Sequence, residues 1–181
     1  MHGKPTICVY CGSSPGKDEA YMEAATTLGR TIAERSARLI YGAGDNGLMG
    51  ATARATLAAG GEVIGVVPQI LIGHEGNTDV NTTLIRTETM HERKKVMFAN
   101  ADAFIVLPGG PGTLDETIET LTWRQLGLHD KPLVFVDTNG YWTRLLDLFA
   151  HFTESGFMHS RFNGFYSVAE TPEEAVEMAL G

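Results

Sequence analysis

The chain has 181 residues, of which 43% are hydrophobic and 20% charged, and its formal net charge is −8. This length suits one domain with a sizeable core, and the acidic balance argues against a general nucleic-acid-binding surface. The sequence has no run of roughly 20 apolar residues that would predict a membrane span, and its N-terminus does not resemble a secretory signal. We therefore expect a cytoplasmic protein with a single domain, residues 1–181, and no membrane partner.

The first half of the chain alternates strands and helices. Apolar runs predict strands at Thr6–Tyr10, Arg38–Tyr41 and Glu62–Val67, and helix-forming stretches lie between them at 18–35 and 48–59. Residues 69–83 are polar and irregular, which predicts a mobile active-site loop.

The second half repeats this alternation. We predict strands at Thr83–Thr87, Phe104–Leu107, Pro132–Val136 and Phe165–Val168, with helices at Met90–Ala101, after residue 112, at Tyr141–Glu154 and from Pro172. Strands that alternate with helices predict a parallel sheet covered on both faces. The expected fold class is therefore α/β, a single doubly wound, Rossmann-like sheet.

Three glycine-rich turns follow predicted strands, at 12–16, 42–50 and 109–112. In a doubly wound sheet, ligands bind beyond the carboxyl ends of the strands where the strand order reverses. The three turns can therefore converge on one crevice. Ser13 and Ser14 in the first turn are candidates for bonding a phosphate or a sugar, although a plain turn explains them nearly as well.

The stretch Phe104–Glu119 combines a buried strand, a glycine turn and a helix. Gly109, Gly110 and Gly112 allow a tight turn and a close approach to a ligand, and Thr113 is placed to cap the helix. Free N–H groups and the helix dipole make such a helix start an anion site, so we expect a bound phosphate. The ATP-type loop is excluded because no Gly-Lys-Ser/Thr follows the glycines.

Glu116 is an unexpected carboxylate in a helix that should hold an anion. One interpretation is structural, because Glu116 lies three residues after Thr113, the spacing of a capping box. The other is a catalytic or ribose-binding group beside the phosphate. Leu114, Ile118 and Leu121 repeat at i, i+4 and i+7 and predict the core face of this helix.

Arg93 interrupts an apolar stripe in the preceding helix, where Met90 and Met97 are its neighbours. A buried arginine is costly unless it meets an anion. It either forms a structural ion pair or points at a phosphate or at Glu116, and the nearby phosphate turn favours the functional interpretation. Lys94 is expected on a solvated face, from which it could also reach a ligand.

Neither a metal nor a redox cofactor is indicated. Cys8 and Cys11 have CxxC spacing, but no second Cys or His pair completes a zinc site, and the six histidines form no HxxxH or HxH pair. The two cysteines would point to opposite faces of a strand, so we expect both to be reduced.

A second copy of the chain is the expected macromolecular partner. Trp123, Leu126 and Leu128 extend the Glu116 helix beyond its predicted core face. Packing is the usual role of such residues, but here they also suit a homodimer interface.

Four motifs in one order carry a family resemblance: CGSS at 11–14, YGAGDNGLMG at 41–50, MHERK at 90–94 and PGGPGTLDE at 108–116. Together they resemble the Lonely Guy family, the cytokinin riboside 5′-monophosphate phosphoribohydrolases, long labelled "possible lysine decarboxylase". The segment TWRQLGLHDKP at 122–132 extends the match. One departure is Ala43, where the family usually has a glycine.

The resemblance implies hydrolysis of the N-glycosidic bond of an adenosine 5′-monophosphate, with or without an N6 substituent, without a cofactor. It places the catalytic pair on Arg93 and Glu116. The expected substrate-binding residues are Ser13, Ser14, Glu75, Met90, Lys94, Gly109, Gly110, Gly112, Thr113 and Thr122. Arg93 either holds Glu116 ionised or contacts the ribose hydroxyls. A non-catalytic nucleotide or molybdenum-cofactor carrier is the alternative, whereas no lysine can be singled out for a decarboxylase.

Overall fold

The computed structural model of this protein describes residues 3–71 and 82–181. In this part of the chain, one sheet of seven strands is covered by six α-helices. The strands are β1 (Thr6–Tyr10), β2 (Arg38–Tyr41), β3 (Glu62–Pro68), β4 (Thr82–Thr87), β5 (Ala103–Val106), β6 (Leu133–Val136) and β7 (Ser167–Ala169). The helices are α1 (Glu19–Glu34), α2 (Gly47–Ala58), α3 (Met90–Asn100), α4 (Pro111–Gln125), α5 (Thr143–Glu154) and α6 (Pro172–Leu180).

All strand pairs are parallel, and the strand order is β4-β3-β2-β1-β5-β6-β7. The chain fills the sheet outward from β1 in one direction and then returns to β5 and continues in the other. In register, Cys8 of β1 lies between Ile40 of β2 and Phe104 of β5. This confirms the doubly wound α/β fold, and it places the reversal of strand order between β1 and β5.

The helices form two layers with separate cores. Helices α1, α2 and α6 pack on one face of the sheet, where Leu28 and Val176 are fully buried, and α3, α4 and α5 pack on the other, around Met97 and Phe149. Every residue of β1, β5 and β6 is buried, because helices cover both faces of these central strands. No helix in residues 3–71 and 82–181 is long and apolar enough to cross a membrane.

The predicted irregular segment 69–83 is only partly described. Gln69–Leu71 form one turn of 3₁₀-helix, and β4 already begins at Thr82. The rest of the proposed active-site loop, residues 72–81, lies outside the described residues.

Candidate active site

The three glycine turns meet at the carboxyl ends of the central strands, as the sequence predicted. The N–H of Gly12 after β1 donates to the carbonyl of Pro108 after β5, at 3.0 Å. The carbonyl of Gly12 accepts from the N–H of Leu48 in the first turn of α2, at 3.1 Å. One residue therefore joins the turn after β5 to the start of the helix after β2, and a shared crevice results.

Helix α4 begins earlier than the sequence indicated, and this removes the capping-box interpretation of Glu116. Gly110 is the N-cap and Pro111 is the first helical residue, with no side-chain cap. Proline is favoured at this position because its fixed φ suits a helix and it lacks an N–H that would need a partner. Thr113 is therefore not the cap but a buried residue in the first turn, and Glu116 lies a full turn inside the helix.

Gly109 is required by close packing at this turn. A Cβ at position 109 would overlap the Thr113 side chain and crowd the backbone nitrogen of Gly12. In contrast, Gly110 and Gly112 have no atom within 4 Å of the position that a Cβ would occupy. The backbone at these two residues is thus open to a ligand, and the first N–H groups of α4 have no helical partner of their own.

Arg93 enters the crevice from α3, whose first turn is fixed by side-chain caps. Thr89 accepts from the N–H of Glu92 at 3.1 Å, and the Glu92 carboxylate accepts from the N–H of Glu88 at 2.7 Å. Arg93 is only 6% exposed, and its Nη2 donates to the carbonyl of Gly42 at 2.6 Å. Its Nε has no hydrogen-bond partner among the described residues, which is rare for a buried charged group and suggests that a ligand completes its bonding.

Arg93 and Glu116 line the same cavity of about 300 Å³. They do not form an ion pair with each other in the described part of the chain. The other residues that line this cavity come from the three turns and from the segments beside them: Cys11, Gly12, Ser13, Met49, Leu71, Met90, Gly110, Pro111, Gly112 and Thr113. The cavity therefore combines an arginine, a carboxylate and the N-terminus of a helix.

The environment of Glu116 in the cavity shifts its titration to near neutral pH. Burial raises the pKa of Glu116 to about 7, although the positive charge of Arg93 opposes the rise. Burial, followed by the charge of Glu116, also raises the pKa of the Cys11 thiol. Cys11 is free and buried, so it is a neutral wall of the site and a poor nucleophile.

Ser13 and Ser14 do not border the same set of cavities. Ser13 borders both the Arg93–Glu116 cavity and a neighbouring cavity of about 360 Å³, whereas Ser14 borders only the neighbouring one. Tyr21 and Tyr141 line that second cavity, and the Tyr141 hydroxyl donates to the carbonyl of Gly109 at 2.6 Å. The Tyr141 contact therefore braces the turn between β5 and α4.

Two other predicted contacts lie away from the cavity. The Nζ of Lys94 is 3.0 Å from a carboxylate oxygen of Asp115 and 3.2 Å from one of Glu119, so its charge is already paired. Thr122 is exposed on the outer side of α4, and its hydroxyl donates to the carbonyl of Ile118 at 2.7 Å. Glu75 lies outside the described residues.

Gly42, whose carbonyl accepts a hydrogen bond from Arg93, was not predicted from the sequence as a site residue. The available signal was the YGAG motif, in which a glycine directly follows a buried strand. Ala43, the departure from the family pattern, is buried and adopts a left-handed φ of 60°. A glycine would adopt this conformation without the steric cost that alanine carries.

A metal-binding cluster is absent from the described residues: no three His, Cys, Asp or Glu side chains in 3–71 and 82–181 are grouped to hold an ion.

A family model and several curated sequences are similar to this chain over most of its length. The family model described as "Possible lysine decarboxylase" matches residues 49–179. A probable cytokinin riboside 5′-monophosphate phosphoribohydrolase from Oryza sativa subsp. japonica is 40% identical over 171 residues, which is 94% of this chain and 70% of the relative. A cytokinin riboside 5′-monophosphate phosphoribohydrolase from Arabidopsis thaliana is 41% identical over 171 residues, 94% of this chain and 80% of its own.

Among solved structures, the molybdenum cofactor binding protein from Rippkaea orientalis aligns with a TM-score of 0.73 at 24% identity, over 96% of this chain and 94% of that chain. At this identity the likeness shows a shared fold. The sequence relatives are far closer, and on their identity and coverage the chain belongs to the Lonely Guy family of cytokinin riboside 5′-monophosphate phosphoribohydrolases.

Proposed function

We propose that the chain hydrolyses the N-glycosidic bond of adenosine 5′-monophosphates, plain or N6-substituted, to the free base and ribose 5-phosphate. The observation that carries this proposal is one cavity that holds a buried Arg93 with an unpartnered Nε, the Glu116 carboxyl and the N-terminus of α4. The names of the relatives support the same reaction.

In this proposal the 5′-phosphate binds at the start of α4. The N–H groups of Gly112 and Thr113 and the hydroxyl of Ser13 are the expected donors, with Gly109 and Gly110 shaping the turn around the phosphate. Ser14, in the adjoining cavity, remains a predicted contact. Binding of the phosphate then holds the ribose over Glu116. The phosphate site thereby positions the reacting carbon, although it does not contact that carbon.

The bond between C1′ and the base nitrogen breaks with its electron pair going to the base, which gains a proton, while the oxygen of a water molecule bonds to C1′ and loses a proton. Positive charge develops on the sugar as this bond breaks. A Glu116 carboxylate stabilises that charge or orients the water. Arg93 then either keeps Glu116 ionised or donates a hydrogen bond from its Nε–H group to a ribose hydroxyl. Met90 at the cavity rim and Glu75 remain candidates for substrate contact.

We also propose that two copies of the chain form a homodimer through the outer side of α4. Ile118, Leu126 and Leu128 are 38%, 68% and 66% exposed, and Trp123 lies beside Ile118 on the same surface. Apolar side chains exposed together in this way are typical of an interface between proteins. Thr122 lies within this surface, which suits subunit contact better than direct contact with substrate.

The alternative is a carrier that binds a nucleotide or the molybdenum cofactor without turnover. Incubation of the purified protein with AMP, followed by chromatography for adenine and ribose 5-phosphate, separates the two. The hydrolase should release both products in equal amounts, whereas a carrier should bind the nucleotide and release neither. A panel of adenosine monophosphates with and without N6 substituents then defines the preferred base, and a cytoplasmic location remains an expectation from sequence.

A further inference from the structure

An unusual ion pair links the two helices that carry Arg93 and Glu116. Lys94 directly follows Arg93 on α3, and Asp115 directly precedes Glu116 on α4. The Lys94 ammonium contacts the carboxylates of both Asp115, at 3.0 Å, and Glu119, at 3.2 Å.

Lys94 differs from the cations of the other ion pairs in the described residues by its burial. Its side chain is 11% exposed, whereas the side chains of Lys4, Arg30 and Arg35 in their pairs are 53%, 54% and 48% exposed. Exposed pairs contribute little because water screens them and both side chains must be ordered. A lysine that is largely buried between two carboxylates instead loses much of its hydration, so its location depends on those partners.

We propose that Lys94 is a positioning residue: by bridging α3 to Asp115 and Glu119 of α4, it fixes the separation of Arg93 and Glu116 across the cavity and balances the negative charge beside Glu116. This inference rests on the proposed hydrolase function, and it gives Lys94 a role through its neighbours in place of contact with substrate.

The balance of charge can be read from the groups that face Glu116. Helix α3 supplies Arg93 and Lys94, which lower the pKa of Glu116, and α4 supplies Asp115 and Glu119, which raise it. From β1 and its end, Cys8, Tyr10 and Cys11 also face this carboxyl. Burial raises the pKa of all three groups, so they stay neutral through the neutral pH range. Among the described residues, the charges that act on Glu116 are therefore those of Arg93, Lys94, Asp115 and Glu119.

Removing the lysine and removing the aspartate should therefore shift the pKa of Glu116 in opposite directions. Lys94→Met leaves two carboxylates unopposed, which should raise the pKa of Glu116 by roughly half a unit to one unit. Asp115→Asn removes a negative charge and should lower it by a similar amount. Opposite shifts test the charge balance at Glu116, and a fall in kcat of Lys94→Met that persists at a pH where Glu116 is ionised in both enzymes tests the alignment.

The experiment is a carbon-13 NMR titration of the Glu116 carboxyl, identified by the signal that Glu116→Gln lacks, beside the pH dependence of AMP turnover. Lys95→Met is the matched control, because Lys95 is the exposed neighbour of Lys94 on α3, and it should leave both curves unchanged. We expect opposite shifts for Lys94→Met and Asp115→Asn, and a fall of roughly 10-fold in kcat for Lys94→Met from lost alignment.

Shifts in the same direction, or no shift in either variant, would overturn the proposal. If Lys94→Met does not fold, Asp115→Asn at its 64% exposed site still tests the sign, and Lys94→Arg should keep the wild-type titration because it keeps the charge. A wild-type protein that binds AMP but releases no adenine would refute the hydrolase function, yet the NMR titration would still decide on the bridge.

Discussion

Arg93 occupies the space that a side chain on Gly42 would need. Its guanidinium donates to the Gly42 carbonyl at 2.6 Å, and a Cβ at position 42 would overlap the same guanidinium. The glycine after β2 thus both holds the arginine and makes room for it. This leaves Nε of Arg93 without a partner in the described residues, while Arg93 shares the cavity with Glu116.

Gly42→Ala should therefore inactivate the site without changing either predicted catalytic residue. The added methyl group must displace the Arg93 guanidinium, and a small displacement of an aligned group costs roughly 100-fold in rate. The measurement is kcat/KM for AMP. Gly164→Ala is the matched control, because a Cβ there meets no atom within 4 Å. Wild-type activity in Gly42→Ala would show that the position of Arg93 does not matter.

Glu116→Gln should change stability in a way that depends on pH. The folded-state pKa of Glu116 is about 7, above the ordinary value of 4.5. A raised pKa means that the neutral acid is favoured in the folded protein, and this contribution is complete below pH 4.5 and lost as the pH rises through 7. At pH 8 the wild type carries a buried charge that costs up to about 3 kcal/mol.

We therefore expect Glu116→Gln to melt higher than the wild type at pH 8, and close to it at pH 4. Thermal unfolding at both pH values measures the difference. An equal effect at the two pH values would mean that the Glu116 carboxyl is not desolvated in the folded protein.

Turnover should depend on the 5′-phosphate. Hydrogen bonds to a charged group contribute roughly 1.5–3 kcal/mol each. The free nucleoside has no phosphate to accept the hydrogen bonds at the start of α4, so its useful turnover should be abolished. The test compares kcat/KM for AMP with that for adenosine at one pH. Comparable values would place the phosphate outside the site and remove the role assigned to Gly112 and Thr113.

Charging the outer side of α4 should separate the proposed dimer. Leu126→Glu introduces a carboxylate at a side chain that is 68% exposed and would be buried between two copies. Light scattering at micromolar concentration should show a dimer for the wild type and a monomer for Leu126→Glu. Phe157→Glu is the control, because Phe157 is 90% exposed but follows α5 and is not part of α4. A wild-type monomer would contradict this proposal.

Much of the fold was predictable because central parallel strands are buried on both faces. The runs Thr6–Tyr10 and Arg38–Tyr41 match β1 and β2 in full, since a short, mostly apolar run that leads into a glycine turn has few other interpretations. The convergence of the glycine turns followed from the same alternation, because parallel strands end at one edge of the sheet.

Helix α4 shows where sequence periodicity was misleading. Of the predicted core residues Leu114, Ile118 and Leu121, only Leu121 is fully buried and Ile118 is exposed. The other buried residues of α4 are threonines, and the hydroxyl of Thr120 lies 3.2 Å from that of Tyr10 on β1. An apolar repeat indicates a surface that avoids water, but it does not say whether the sheet or another chain covers it.

The capping of α4 could not be inferred from the motif alone. Thr113 and Glu116 have the spacing of a capping box, but Pro111 starts the helix two residues earlier. That early start buries Thr113 and turns Glu116 toward the cavity.

The pairing of Lys94 with Asp115 and Glu119 was also not predictable, because it depends on how α3 and α4 pack, which local spacing does not specify.

The most direct test of the central claim is AMP turnover by Glu116→Gln, measured with the dissociation constant of AMP. If Glu116 acts in the reaction, kcat should fall by roughly 100-fold or more, while AMP binds as tightly or more tightly because a carboxylate no longer repels the phosphate. Combining this change with Arg93→Ala should add little, because residues that act as a unit are not additive. A Glu116→Gln enzyme that releases adenine at the wild-type rate would contradict the account.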